Sequence, residues 1–445
     1  MKKVVIIGSG IGGMATANLL AKKGFAVTVL EKNEMVGGRA SVFEAKGYRF
    51  DMGPSWYLMP DVFEHYFDLL GEKLGDHLQL EKLAPSYRVF FKDTDKVIDF
   101  FADVEKTVET VESLEPGSGE RLREYLKLSE SQYRVATENF MYKNYDSWRD
   151  FFNWQTLIQG SRLSVFTPMN TYVGRFFKNS LVQKIMQYQL VFLGSSPYNT
   201  PALYNIMSHI DFNLGVYYPQ GGIYQIVVAL KNIGEKYGVR FVTNAEVNKI
   251  LVDEGNQATG VSLVSGEQYD ADLVISNGDI HHTETKLLAE RHRSFTPAYW
   301  KSRVSAPSGF IMYLGVRGKI SSLTHHNLLF AADWQQNFAE IFDRPQFPSD
   351  PSIYVCAPSK TDPSVAPDGC ENLFVLVPIA SGLEYTEEYL DQYKEKILAT
   401  LSKDMGIEDL ANRIEYCQLF CVKDFAERYH SFRGSALGLA HTLKQ

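Results

Sequence analysis

Apolar and polar positions near the start of the chain follow two different rhythms. A continuous apolar run over 4–7 reads as a buried strand, an apolar face at helical spacing over 12–23 as a helix, and a second β-branched run over 26–30 as the next strand. That β-α-β order opens a doubly wound parallel sheet. Residues 40–100 mix short strands, at 48–50 and 88–91, with a helix over 62–70. The stretch 119–215 is mostly helical by periodicity and rich in Phe, Tyr, Leu and Met, a composition that usually marks core packing. After Pro219 the first rhythm returns, with a helix over 224–237 and strands at 240–243, 246–252, 259–263 and 272–275. The opening domain is therefore expected to be split by an insertion. Strands at 309–315, 352–357 and 372–378 and a long helix over 387–403 predict a second sheet, and no internal repeat or low-complexity tract interrupts the chain.

The 445 residues exceed an ordinary single domain and supply ample core. A formal charge of -8, without a basic cluster, argues against nucleic acid as a partner. Lys2 and Lys3 followed by an apolar run over 4–21 imitate a secretory signal, but glycines interrupt the run and a second strand follows. No segment reaches the roughly 18 unbroken apolar residues of a membrane span, so any membrane contact is expected to be peripheral. Cys356, Cys370, Cys417 and Cys421 show no metal or redox spacing and read as free structural thiols of a reducing cytoplasm. Cys417 and Cys421 would share a face if their segment were helical. The pairs His281-His282 and His325-His326 read as loop residues, because adjacent side chains rarely converge on one ion and no third ligand recurs. No metal is expected.

Chemistry enters with Gly8-Ser9-Gly10-Ile11-Gly12-Gly13, between a predicted strand and helix. Gly8, Gly10 and Gly13 permit the tight turn, the approach of a pyrophosphate and close helix packing, and the helix N-terminus faces the phosphates. Glu31 ends the second strand about 20 residues on, where a carboxylate accepts ribose hydroxyls, and Lys32 beside it is a further candidate contact. Together they specify a dinucleotide.

Val36-Gly37-Gly38-Arg39-Ala40 follows, and this doublet resembles the GGR extension of the large FAD family that includes amine oxidases and carotenoid desaturases. The resemblance implies that Gly38 and Arg39 meet the flavin's diphosphate and ribityl chain. Phe50-Asp51-Met52-Gly53-Pro54-Ser55 looks like the FDxGP stretch of carotenoid desaturases, which puts Gly53, Pro54 and Ser55 near the flavin. Pro219-Gln220-Gly221-Gly222 is similar to their PxGG turn, Asn244-Ala245-Glu246-Val247 to the strand meeting adenine, and Ser276-Asn277-Gly278-Asp279 to their SNAD segment. Gly222, Val247 and Asn277 are therefore candidate cofactor contacts. Segments at 351–355 and 434–436 extend the similarity, to phytoene and diapophytoene desaturases above all, over essentially the whole chain.

From this resemblance the expected architecture is α/β: a discontinuous Rossmann-like, amine-oxidase-like FAD domain (1–85, 219–290, 425–445), a mixed-sheet substrate domain (86–130, 291–424), and a helical lid or membrane-binding region (131–218). The expected activity is FAD-dependent desaturation of a linear C30 or C40 carotenoid precursor, an apolar polyene. Asp150 is the candidate proton acceptor, in a segment similar to one near the substrate in phytoene desaturases; Asn153 stands where some relatives carry Arg. Phe151, Phe152, Trp154, Arg175, Phe176, Phe177 and Lys178 are candidates for lipid contact on the inner face of the cell membrane, with an internal lid as the competing reading. The family's GAGTHPG-type segment is absent before Gln445, which implies a truncated form or roughly fifty further residues, and leaves FAD retention dependent on that segment. Alternatives are a related carotenoid oxygenase or isomerase, and a non-catalytic isoprenoid carrier resembling the GDP dissociation inhibitors. An NAD-dependent dehydrogenase leaves Gly37 to Arg39 without a purpose.

Overall fold

The computed structural model describes residues 1–142, 144, 146, 147 and 167–440. Its first strand, Lys3–Ile7, is β-branched and buried on both faces, which suits the inside of a parallel sheet. It pairs in parallel with Ala26–Leu30 and with Leu273–Ser276, and Ala26–Leu30 pairs in parallel with Arg240–Val242. Two of the four strands thus come from the far side of a long insertion. Alternation along the strand divides the core. Val4 and Ile6 pack with Ala17 and Ala21 of helix Ile11–Lys22, whereas Val5 and Ile7 face Val247, Ile250 and Val261 of a three-stranded antiparallel sheet. Helix Tyr224–Lys236 lies against helix Ile11–Lys22, where the Asn18 amide donates to the Leu230 carbonyl at 2.8 Å.

A seven-stranded mixed sheet forms the second layer, in the order 414–420, 308–317, 370–379, 353–356, 326–330, 87–91, 97–100. Only the pair of His326–Phe330 with Tyr87–Phe91 is parallel. On one face Val355, Val375 and Val377 bury the Leu390, Ile397 and Leu401 stripe of helix Glu387–Asp404. On the other, Tyr87, Val89, Ile311 and Phe330 pack with residues of helices Gly119–Ala136, Met169–Phe176 and Ser180–Ile185. Among the described residues, no helix is long and apolar enough to cross a membrane.

Candidate cofactor cleft and substrate cavity

A cleft of about 530 Å³ opens at the ends of strands Lys3–Ile7 and Ala26–Leu30 and is lined by Gly8, Gly10, Glu31, Lys32, Gly38, Arg39, Val247 and Asn277. A Cβ on Gly13 would stand 2.2 Å from the Gly8 carbonyl oxygen, so glycine is what lets the helix seat on its turn. Gly10 caps that helix without a side-chain hydrogen bond, which leaves the first turn's N–H groups to an outside acceptor. Gly38 (φ +57) comes so close that a Cβ there would lie 3.2 Å from Gly10 Cα, and the Gly37 N–H donates to the Ser9 carbonyl at 3.0 Å. The two glycine motifs thus form one backbone surface, a cradle that side chains would fill.

Glu31 is buried and already engaged. Oε2 accepts from the Ser9 N–H (3.0 Å) and hydroxyl (2.7 Å), and Oε1 from the Asn33 N–H (3.0 Å) and amide (2.9 Å). A carboxylate has about four acceptor positions. A ribose hydroxyl would therefore replace the Ser9 hydroxyl or the Asn33 amide rather than meet a free oxygen. Lys32 turns toward the C-terminal region, its ammonium donating to the Glu427 carbonyl at 2.6 Å and lying 3.2 Å from His430 Nε2, and burial lowers its pKa. Asn277 closes the cleft floor, its N–H donating to the Ile7 carbonyl at 2.8 Å.

A second cavity, about 420 Å³ and mainly apolar, is walled by Trp56, Leu58, Met207, Ile210, Ile311, Leu376 and Leu437. Arg39, Pro54 and Tyr429 line both spaces. The Arg39 guanidinium donates to the Ser431 hydroxyl at 3.2 Å, with Cζ 5.9 Å from the centre of the Tyr429 ring, and burial works against its charge. Gly53 and Ser55 line the apolar cavity, where the Ser55 and Tyr354 hydroxyls are 2.7 Å apart. Asp211, a buried acid, stands in the same wall.

Gly222 belongs to neither space. Its turn packs on Asp51, whose oxygens accept from the Ile223 and Tyr224 N–H groups at 2.8 and 3.0 Å. Lost hydration outweighs those two bonds and pushes the Asp51 carboxyl up to about 6.

Of the histidine pairs only His325 is a loop residue, in the bend that precedes strand His326–Phe330. His281 and His282 form part of a short helix, Ile280–His282, whose rings line the cleft; His282 stacks on His430 at 3.9 Å and burial beside that ring pushes it down to about 4. His325 and His326 are buried, His326 in strand His326–Phe330. Cys356, from the neighbouring strand, supplies the third donor the sequence did not show, all three donor atoms lying within 4.8 Å of one another. Burial holds both imidazoles neutral, His325 down to about 3, and pushes the thiol up to about 12, so an ion there would first have to displace the thiol proton. The Trp56 ring stacks on His326 at 4.4 Å, carrying this cluster to the cavity wall. Cys417 and Cys421 do not share a helical face: Cys417 is in strand Ile414–Phe420 and Cys421 caps helix Val422–Tyr429. Phe177 is fully buried against Tyr125, which removes it as a lipid-facing residue, and Phe176 is half-buried beside it. Asp150, Phe151, Phe152, Asn153 and Trp154 lie outside the described residues.

The sequence reading passed over Asp211, Tyr429 and His430, and took His282 for a loop residue. For Asp211 a signal existed: one acid inside the apolar segment Ile210-Asp211-Phe212, with no basic residue beside it.

Glycine turn, parallel sheet and adjoining apolar cavity define a dinucleotide-binding oxidoreductase with an apolar substrate space. Residues 11–443 match the family described as flavin containing amine oxidoreductase, and the chain belongs to it. The cofactor is FAD, and the cradle and open helix N-terminus described above suit its diphosphate. The chain is 47% identical to a carotenoid 3,4-desaturase of Haloarcula japonica, over 99% of this chain and 89% of that one. It is 31% identical to a 4,4'-diapophytoene desaturase of Staphylococcus aureus, over 100% and 90%. A solved structure of a putrescine oxidase variant shares the fold at TM-score 0.60 and 15% identity, covering 98% of this chain and 86% of the other.

Proposed function

We propose that the protein is an FAD-dependent desaturase of a linear C30 or C40 carotenoid precursor such as phytoene or diapophytoene. The observation that carries this reading is the meeting of the glycine-lined cleft and the apolar cavity at Arg39, Pro54 and Tyr429. When bound, the flavin supplies the hydride acceptor. Gly8, Gly10, Gly13 and Gly38 give the diphosphate its backbone surface; Arg39 adds charge; Glu31 faces the ribose, with Lys32 beside it in the cleft wall; Val247 and Asn277 wall the adenosine side. Gly53, Pro54 and Ser55 continue from the cofactor to the substrate, and Gly222 holds the turn that fixes Asp51. Trp56, Met207 and Leu376 exclude water and hold the polyene in line, which is most of what such chemistry asks of a protein. Asp150 remains a candidate proton acceptor from the family resemblance.

The substrate resides in a bilayer, so we also propose peripheral contact with the inner face of the cell membrane from the cytoplasm. The half-exposed Met141 and Tyr142, following helix Gly119–Ala136, and the exposed cations Arg175 and Lys178 are the groups offered to lipid.

Incubating the FAD-loaded protein with phytoene or diapophytoene in liposomes and chromatographing the extracted polyenes tests the activity. Products with added conjugated double bonds are expected. Hydroxylated or aldehyde products would indicate the oxygenase reading instead, and geometric isomers alone the isomerase.

A further inference from the structure

Asp211 sits on a single turn of π-helix, Ile210–Leu214, a rare winding often found at functional positions. The residue is 4% exposed and lines the apolar cavity. Oδ2 accepts three hydrogen bonds, from the Tyr87 hydroxyl at 2.9 Å, the Tyr188 hydroxyl at 2.8 Å and the Gln189 amide at 2.8 Å. Oδ1 has no hydrogen-bond partner among the described residues. A buried acceptor left in this state is costly unless something else uses it.

We propose that Asp211, in place of the Asp150 that the family resemblance suggests, is the base that takes the substrate proton during desaturation. The inference rests on the desaturase reading above. Desaturation breaks two neighbouring C–H bonds. One carbon loses a hydride, with both electrons, to the oxidised flavin; the adjacent carbon loses a proton to the Asp211 carboxylate, and the electron pair left behind forms the new C=C bond. The three donors concentrate on Oδ2, and the buried Oδ1 is left with hydrogen-bonding capacity that a proton can take up. A carboxylate in the cavity wall would also stabilise the positive charge that hydride loss leaves on the polyene, since little water screens it there.

The titratable groups facing Asp211 are Tyr87, from strand Tyr87–Phe91, and Tyr188; burial raises both well above the usual phenol range, so they stay protonated and donate. Burial likewise lifts the Asp211 carboxyl to about 6, opposed by those donors and Gln189. The group is therefore ionised, and able to accept, above about pH 6.

The test compares wild type, Asp211→Asn and Asp211→Glu, each loaded with FAD and given phytoene or diapophytoene in phosphatidylcholine liposomes. General-base loss predicts a kcat at least about 100-fold lower in Asp211→Asn, with KM little changed, and partial recovery in Asp211→Glu. The wild-type rate should rise with pH through the carboxyl's titration, and the residual rate of Asp211→Asn should not. Without cofactor or substrate, infrared titration should show a protonated-carboxyl band near pH 6 that is larger in wild type than in Asp211→Asn, the difference belonging to Asp211 and the remainder to Asp51. Equal kcat and pH profile in wild type and Asp211→Asn would overturn the base while leaving desaturation standing. A raised KM with unchanged kcat would overturn it too, making Asp211 a binding group. No turnover by wild type on either polyene would remove the desaturase reading, and the base with it.

Discussion

The Tyr188 hydroxyl donates to Asp211 Oδ2 at 2.8 Å, and both residues line the apolar cavity beside the flavin cleft. Their pairing places a carboxylate inside a wall otherwise suited to hydrocarbon. Its stability consequence has a definite sign. The Asp211 pKa rises on folding from 3.8 to about 6, so the folded state holds the proton more tightly than the unfolded one. Its contribution is fully present below about pH 3.8 and is lost as pH rises through 6, by about 3 kcal/mol for a shift of this size.

Asp211→Asn should therefore gain stability relative to wild type between pH 4 and pH 7, by about 3 kcal/mol. Urea unfolding of both proteins across this range measures the difference. A difference that stays constant with pH would show that the Asp211 carboxyl is not raised.

Gly13→Ala drives a Cβ onto the Gly8 carbonyl oxygen, a backbone atom fixed by the adjoining strand. The substitution should cost about 1–3 kcal/mol and strip flavin from the purified protein. The visible spectrum and the urea midpoint report both effects.

Arg39→Met removes the cation shared by the two cavities. Flavin should bind about 10- to 100-fold more weakly, the range expected when hydrogen bonds to a charged group are lost. Quenching of flavin fluorescence on titration gives the affinity, and unchanged binding would place the phosphates elsewhere.

Met207→Trp fills the apolar cavity without touching the glycine cleft. Polyene affinity should fall at least about tenfold while flavin affinity holds. Co-sedimentation with polyene-loaded liposomes and flavin titration separate the two.

The βαβ opening was legible because three glycines and Glu31 each meet a local demand of the same turn and strand. The GGR segment was legible through its resemblance to the FAD family's extension, and the fold brings its glycines against that turn. Asp211 stood out only as one acid in an apolar segment; its setting was not legible, since its partner Tyr87 is 124 residues away and burial among aromatics is a property of the assembled layers. The His325, His326 and Cys356 cluster escaped for a related reason: pairing of strands His326–Phe330 and Ile353–Cys356 sets His326 opposite Cys356. Phe177 shows the opposite error. An aromatic beside exposed cations looks lipid-facing in sequence, yet helix packing turned it inward.

The most direct measurement is the visible spectrum of the FAD-loaded protein, mixed anaerobically with phytoene or diapophytoene in liposomes. Bleaching of the oxidised flavin band in step with the growth of polyene bands is the expected result. A flavin that stays oxidised while both polyenes are recovered unchanged would contradict the desaturase reading.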